Sequence, residues 1–250
     1  MKIHYLLLAL LSAVLTSCTF TETVTIDENG TGQYTVNMDG SALMAMAGEQ
    51  MAAGLSEEQS KNIDTTFAFK QVFAKKKDSI AKLPIKTQQE LKKLENVVVE
   101  MKMNAEQKQF LVALKSNFTN VNELQDMLKA MQTLQKLDKK SNSENPLGMG
   151  SDFANNNSNV TYSYTAKKFN RVVTVAPKDS NTVSEDSLGM YKMIFASSNY
   201  VLKYNFPKRI KKVSNPDALF SADRKSITVR YPFTDYMENP KKLDLIVEFE

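Results

Sequence analysis

Three residue types are almost missing, and each absence removes a chemistry. The 250-residue chain has one histidine, one cysteine and no tryptophan. A lone cysteine cannot close a disulfide within the chain, so the fold must be held by its core. A lone histidine leaves little room for Ser-His-Asp or Cys-His catalysis, or for the usual zinc sites. Without indole rings, sugar binding by tryptophan stacking is unavailable. Charge is nearly balanced, with 32 Lys and Arg against 28 Asp and Glu and a net charge of +4. A value that small argues against a nucleic-acid binder. Apolar residues make up 42% of the chain, enough for a substantial core. Their longest uninterrupted run beyond residue 17 is Ala42–Ala47, only six residues. A spanning helix needs about 20 apolar residues.

What is present begins with an address. Lys2 precedes an apolar stretch from Tyr5 to Leu15, broken by Ser12. That length suits the core of a signal peptide and is too short to span a bilayer. It runs into Leu15-Thr16-Ser17-Cys18, an aliphatic residue, two small residues and cysteine. This resembles the lipobox of bacterial lipoproteins. The resemblance implies diacylglycerol transfer to the Cys18 sulfur, cleavage between Ser17 and Cys18, and attachment to a membrane. On that reading residues 1–17 are a signal peptide and 18–250 one envelope domain. The mature chain keeps 233 residues and a net charge of +3. It then has no imidazole, because His4 leaves, and no free thiol, because lipid occupies Cys18. The resemblance further implies an address: under the enterobacterial sorting pattern Thr19, in place of Asp, favours the outer membrane, and the absence after Cys18 of the acidic run that marks surface export in some Bacteroidota favours its periplasmic face.

Beyond the leader, alternation of apolar and polar residues dominates. Phe20, Glu22, Val24 and Ile26 share one side of a strand, and Gly32, Tyr34, Val36 and Met38 one side of the next. Asp27-Glu28-Asn29-Gly30 between them is hairpin-turn chemistry. Residues 41–60 switch to helical spacing, and 66–83 read as partly helical around Phe67, Phe69, Val72, Phe73 and Ile80. Thr87-Gln88-Gln89-Glu90 reads as a capping box that starts a short helix. A second hairpin pairs the Val97–Met103 alternation with Phe110, Val112 and Leu114. Leu124, Met127, Leu128, Met131, Leu134 and Leu137 then form one helical stripe. Residues 139–159 lose periodicity, fill with Asn and Ser, and read as a mobile loop. Strands return around Val160–Tyr164, Phe169–Val175, Tyr200–Phe206, Ile227–Tyr231 and Leu243–Phe249, with a helix near 187–195. Strict alternation marks antiparallel sheet, and runs of strands separated by runs of helices mark an α+β fold. The expected architecture is a single α+β domain, an antiparallel sheet built from hairpins with helices on one face.

Candidate sites are few. Asp27–Gly32 has the wrong spacing for a calcium loop and reads as a plain turn. Gly30-x-Gly32 and Gly148-x-Gly150 complete no phosphate-binding pattern. Asp217 with Asp223, or Asp235 with Glu238, could supply a carboxylate pair for a hydrolase. The lysine clusters 75–77, 139–140, 167–168, 208–212 and 241–242 read as solvated surface ahead of the alternative, a basic face that docks on anionic envelope polymers or lipid headgroups. Leu43, Met44, Met46 and Met51, with Met127 and Met131, suit either core packing or an adaptable apolar groove. Asp78-Ser79-Ile80 and Asp186-Ser187-Leu188 resemble the acceptor pattern for periplasmic O-glycosylation in Bacteroidota.

The whole pattern resembles envelope lipoproteins of Bacteroidota, and the hairpin directly after the lipid cysteine resembles the start of LppM-like lipoprotein domains. The second likeness implies handling of envelope lipids. The expectation is a non-enzymatic binding or assembly lipoprotein, with Cys18 as lipidation site, no cofactor and no metal. Its partners are the membrane and an envelope protein or lipid, not nucleic acid. The alternatives are a carrier of an apolar ligand and, more remotely, a carboxylate-based hydrolase.

Overall fold

The computed structural model describes residues 18–42, 44, 62–141, 158–175, 189, 192–193 and 195–250. The fold is α+β, built mainly from antiparallel hairpins. The first hairpin joins β1 (Thr19–Ile26) to β2 (Gly32–Asp39) in the register Thr19↔Asp39 to Ile26↔Gly32. Its turn is closed by Asp27, whose Oδ1 accepts from the backbone N–H of Asn29 at 3.0 Å and of Thr31 at 3.1 Å. Gly30 takes a φ of +81°, which costs a glycine little. Gly32 is required for a different reason. A Cβ there would lie 1.9 Å from the Thr25 carbonyl oxygen and 2.6 Å from the Phe118 ring.

Strand β3 (Asn62–Ala68) leads into short helices α1 (Phe69–Lys75), α2 (Lys77–Ala81) and α3 (Ile85–Lys92). Phe67 therefore lies on a strand, although its spacing to Phe69, Val72 and Phe73 predicts a helix. The third helix starts at Ile85, just after Pro84, so Thr87 lies inside it and caps nothing. Proline at that boundary outweighs the polar box, since its fixed φ suits the entry to a helix. The expected second hairpin is β4 (Val98–Asn104) with β5 (Gln109–Phe118), and the apolar stripe is α4 (Glu123–Ser141). The Glu123 carboxylate accepts from the Thr119 backbone and hydroxyl, tying down the start of α4. The expected 139–159 loop is shorter at both ends, because α4 runs to Ser141 and β6 (Ser158–Tyr164) opens at Ser158. Its middle lies outside the described residues.

The last third supplies β7 (Lys168–Val175), β8 (Asn199–Asn205), β9 (Ile210–Val213), β10 (Leu219–Phe220) and β11 (Ser226–Pro232). Helix α5 (Phe233–Glu238), a 3-10 turn (Pro240–Leu243) and β12 (Leu245–Phe249) complete the chain. The strands form two sheets. Eight run in the order β10-β11-β8-β1-β2-β5-β4-β3, and four in the order β6-β7-β12-β9. One pair is parallel: β8 returns beside β1 in the register Thr19↔Asn199 to Thr25↔Asn205. That pairing puts the last third of the chain in the same sheet as the first hairpin.

The sheets meet through aromatic side chains. Phe169 of β7 packs edge-on against Tyr204 of β8 at 5.2 Å, and Tyr162 of β6 meets Tyr34 of β2 at 6.4 Å. Leu91, Leu94, Val99, Phe118, Leu124 and Met127 join the same core from the helices and β3–β5 side. Aromatic pairs of this kind add to the free energy of apolar burial. A smaller cluster of Met44, Met101, Met103 and Phe110 closes the end of β4–β5.

Candidate functional site

Alternation puts Glu22 between Phe20 and Val24 on the inward side of β1, and Arg171 between Phe169 and Val173 on the inward side of β7. Both are 1% exposed. They meet between the sheets. Arg171 Nε and Nη2 donate to the two Glu22 carboxylate oxygens at 3.3 Å each. Three tyrosine hydroxyls donate to the same carboxylate: Tyr162 at 2.8 Å, Tyr200 at 2.9 Å, and Tyr204 in a shorter bond. Arg171 Nη1 donates onward to the Leu243 carbonyl at 3.1 Å. One carboxylate thus joins β1, β6, β7, β8 and the 3-10 turn.

Burial alone would push the Glu22 carboxyl up. The Arg171 charge and the hydrogen bonds from Arg171, Tyr204 and Tyr162 outweigh it and hold the group below its usual range. Burial would lower Arg171, but the Glu22 charge raises it instead. Burial, and then the Glu22 charge, raise Tyr162, Tyr200 and Tyr204 well above the ordinary phenol. The carboxylate is therefore ionised and surrounded by donors. Five donors meet about four acceptor sites, so no lone pair is left to take a proton from a substrate. A general acid or base needs a pKa near the working pH and access to substrate, and Glu22 has neither. The cluster fixes the two sheets against each other.

The outward side of the same sheet is different. Thr19, Thr21, Asn37, Asp39, Ala113, Glu100, Lys102, Asp64 and Thr66 line a concave groove of about 560 Å³. They fall in two rows across the strands. Thr21, Asn37, Ala113, Glu100 and Thr66 form one; Thr19, Asp39, Leu111, Lys102 and Asp64 form the other. The groove is open; polar side chains line it together with Met38, Met101, Leu111 and Val112, and most of its surface is apolar. Lys115 bridges to Glu100 at 2.7 Å beside it. The first groove residue, Thr19, directly follows Cys18.

No family model, curated protein or solved structure matches this chain.

The sequence-derived candidates fare unevenly. Cys18 lies at the head of β1, buried at 4% exposure, and its carbonyl accepts from the Asn199 N–H at 3.1 Å. The candidate carboxylates lie in exposed turns or pair with lysines. Asp217 precedes β10 and Asp223 follows it, both exposed. Asp235 pairs with Lys242 at 2.6 Å, and Glu238 with Lys192 at 2.8 Å, so each acid has its own lysine. Among the described residues no three His, Cys, Asp or Glu gather as a metal site. No helix among them is long and apolar enough to cross a membrane. Met44 packs into the small methionine cluster, while Met127 and Met131 belong to the main core. Met38 and Val112 pack against both clusters. Leu43, Met46, Met51, Gly148, Gly150 and the motif Asp186-Ser187-Leu188 lie outside the described residues. Ser79 of the other such motif lies on α2, exposed.

Glu22 and Arg171 were missed as a pair. The signal for both was present: a charged residue interrupting an apolar alternation at an inward position. Their partnership spans 149 residues and comes from the sheet order.

Proposed function

We propose that this protein is a lipid-anchored envelope lipoprotein with a non-enzymatic binding or assembly role, and that its ligand lies across the outer groove of the large sheet. The observation that carries the reading is the position of that groove. It begins one residue after Cys18, on the strand that the anchor would hold, so a bound ligand would sit beside the membrane. The lining favours an extended, amphipathic ligand, because hydroxyl, amide and charged groups are spread across five strands over a surface that is mostly apolar. The inward polar groups are occupied with one another, which weighs against catalysis between the sheets. Lipidation requires the Cys18 side chain to turn out of the core into which it packs. An apolar-ligand carrier is the less favoured reading, since Met44, Met127 and Met131 are packed against their own core.

Two experiments test this. Metabolic labelling with an alkyne fatty acid should mark the wild type and not Cys18→Ser; equal labelling of both would overturn the anchor. A photo-crosslinker placed at Ala113 in intact cells should yield a discrete adduct that is lost with Lys102→Glu. The same adducts from a crosslinker at Val172, on the exposed face of the small sheet, would overturn the groove assignment.

A further inference from the structure

Two basic stretches far apart in sequence converge on one rim of the molecule. Residues 207–212 carry Lys208, Arg209, Lys211 and Lys212, and the β10–β11 hairpin carries Arg224 and Lys225. They are joined backbone to backbone, with Ile210 N–H donating to the Arg224 carbonyl at 2.8 Å. They are also joined through the Arg224 side chain, whose Nε donates to the Ile210 carbonyl at 3.1 Å. Lys208 Nζ reaches the Ala166 carbonyl at 2.9 Å and brings the turn bearing Lys167 alongside.

Acids nearby are fewer. Asp223 is the one acid within the two stretches, and it accepts from Ser221 Oγ and the Lys225 N–H. Glu250 pairs with Arg209 at 3.2 Å, and Glu248 stands opposite Lys168 and Lys212. The β1–β2 turn contributes Asp27 and Glu28 close by, next to Tyr164.

The same hairpin holds apolar side chains in water. Leu219 is 71% exposed and Phe220 39%, neighbours on a two-residue edge strand whose side chains flank the edge on opposite faces. Arg224 lies over the Phe220 ring at 4.5 Å. Cations beside an aliphatic and an aromatic tip match a bilayer interface, where headgroup phosphates meet the cations and the acyl boundary takes the apolar tip. A soluble polyanion would use the cations and leave Leu219 in water.

We propose that the β10–β11 hairpin and residues 207–212 form a docking surface for an anionic lipid bilayer. This surface is separate from any anchor at Cys18. Through the pairings of β10, β11 and β8, Phe220 stands level with Val24, five residues along β1 from Thr19 and three strands across.

The test uses the full chain held in nanodiscs of neutral phosphatidylcholine, so that its N-terminus is already satisfied. Acceptor vesicles contain phosphatidylcholine alone or with about one-third phosphatidylglycerol, and recruitment is read by flotation. Anionic vesicles should be recruited and neutral ones not. Lys211→Gln and Lys225→Gln should each weaken recruitment about fivefold, and raised salt should do the same. Leu219→Ser with Phe220→Ser should weaken it by a similar or larger factor at unchanged salt. Circular dichroism checks that each variant keeps its fold; all four positions lie at the rim, outside the core. Equal recruitment of neutral vesicles, or full recruitment by the lysine variants, would overturn the proposal. So would binding of soluble polyphosphate, undiminished by the Leu219 and Phe220 changes, with no vesicle recruitment.

Discussion

Glu22→Gln is the change on which the interior reading depends. The substitution keeps the shape and removes the charge. Arg171 then stays buried at 1% exposure without its counter-ion, and an amide NH₂ replaces one acceptor oxygen. That NH₂ faces either the Tyr200 hydroxyl and Arg171 Nη2, or the Tyr162 and Tyr204 hydroxyls and Arg171 Nε. Breaking a buried pair from one side costs about 3–5 kcal/mol. For a chain this size the urea dependence is roughly 2–3 kcal/mol/M, so the midpoint should fall by about 1.5 M with no change of slope. Arg171→Met should cost a similar amount. The double variant should cost less than the two together by about 2 kcal/mol or more, since neither charge is then orphaned. The pH dependence separates charge from shape. Glu22 is held below its unfolded value of 4.5, so its stabilisation is fully present above that pH. It is lost as pH falls through the lower folded value. The gap between wild type and Glu22→Gln should therefore be constant near neutrality and narrow below pH 4.5. A Glu22→Gln variant within about 1 kcal/mol of wild type at pH 7, or a gap that widens in acid, would refute the reasoning.

Other outcomes follow from the same geometry. Tyr162, Tyr200 and Tyr204 are raised above 10.0, so stability present below that pH should drop as pH rises past it; phenolate absorbance that appears before unfolding and is removed by Tyr162→Phe, Tyr200→Phe or Tyr204→Phe would contradict this. Gly32→Ala should cost about 1–3 kcal/mol by urea titration, because the new Cβ meets the Thr25 backbone, whereas Gly189→Ala, with no atom of the described residues within 4 Å of the added Cβ, should be nearly silent. Lys115→Ala removes a half-exposed pair with Glu100 and should shift stability by no more than about 1 kcal/mol, in contrast to the buried pair. Cys18→Ser should leave the full-length chain as an uncleaved precursor, visible as slower gel migration than the wild type; normal-sized product would count against the lipobox.

Much of the fold was legible one strand at a time. Alternation placed Phe20, Glu22, Val24 and Ile26 on one side of β1, and Phe169, Arg171 and Val173 on one side of β7. Both assignments hold because a strand's period of two is a local property of its backbone. Hairpins were legible for the same reason, since their turns are short and carry their own chemistry. Helix starts were less so: Pro84, not the Thr87 box, sets the entry to α3.

What tertiary structure alone decided is which distant strands become neighbours. The parallel return of β8 beside β1, the split into two sheets, and the meeting of Glu22 with Arg171 leave no mark in any short window. The convergence of 207–212 with the β10–β11 hairpin is of the same kind. Sequence determined which side chains face inward. The pairing of sheets determined that two inward charges would cancel each other, and that scattered lysines would share one rim.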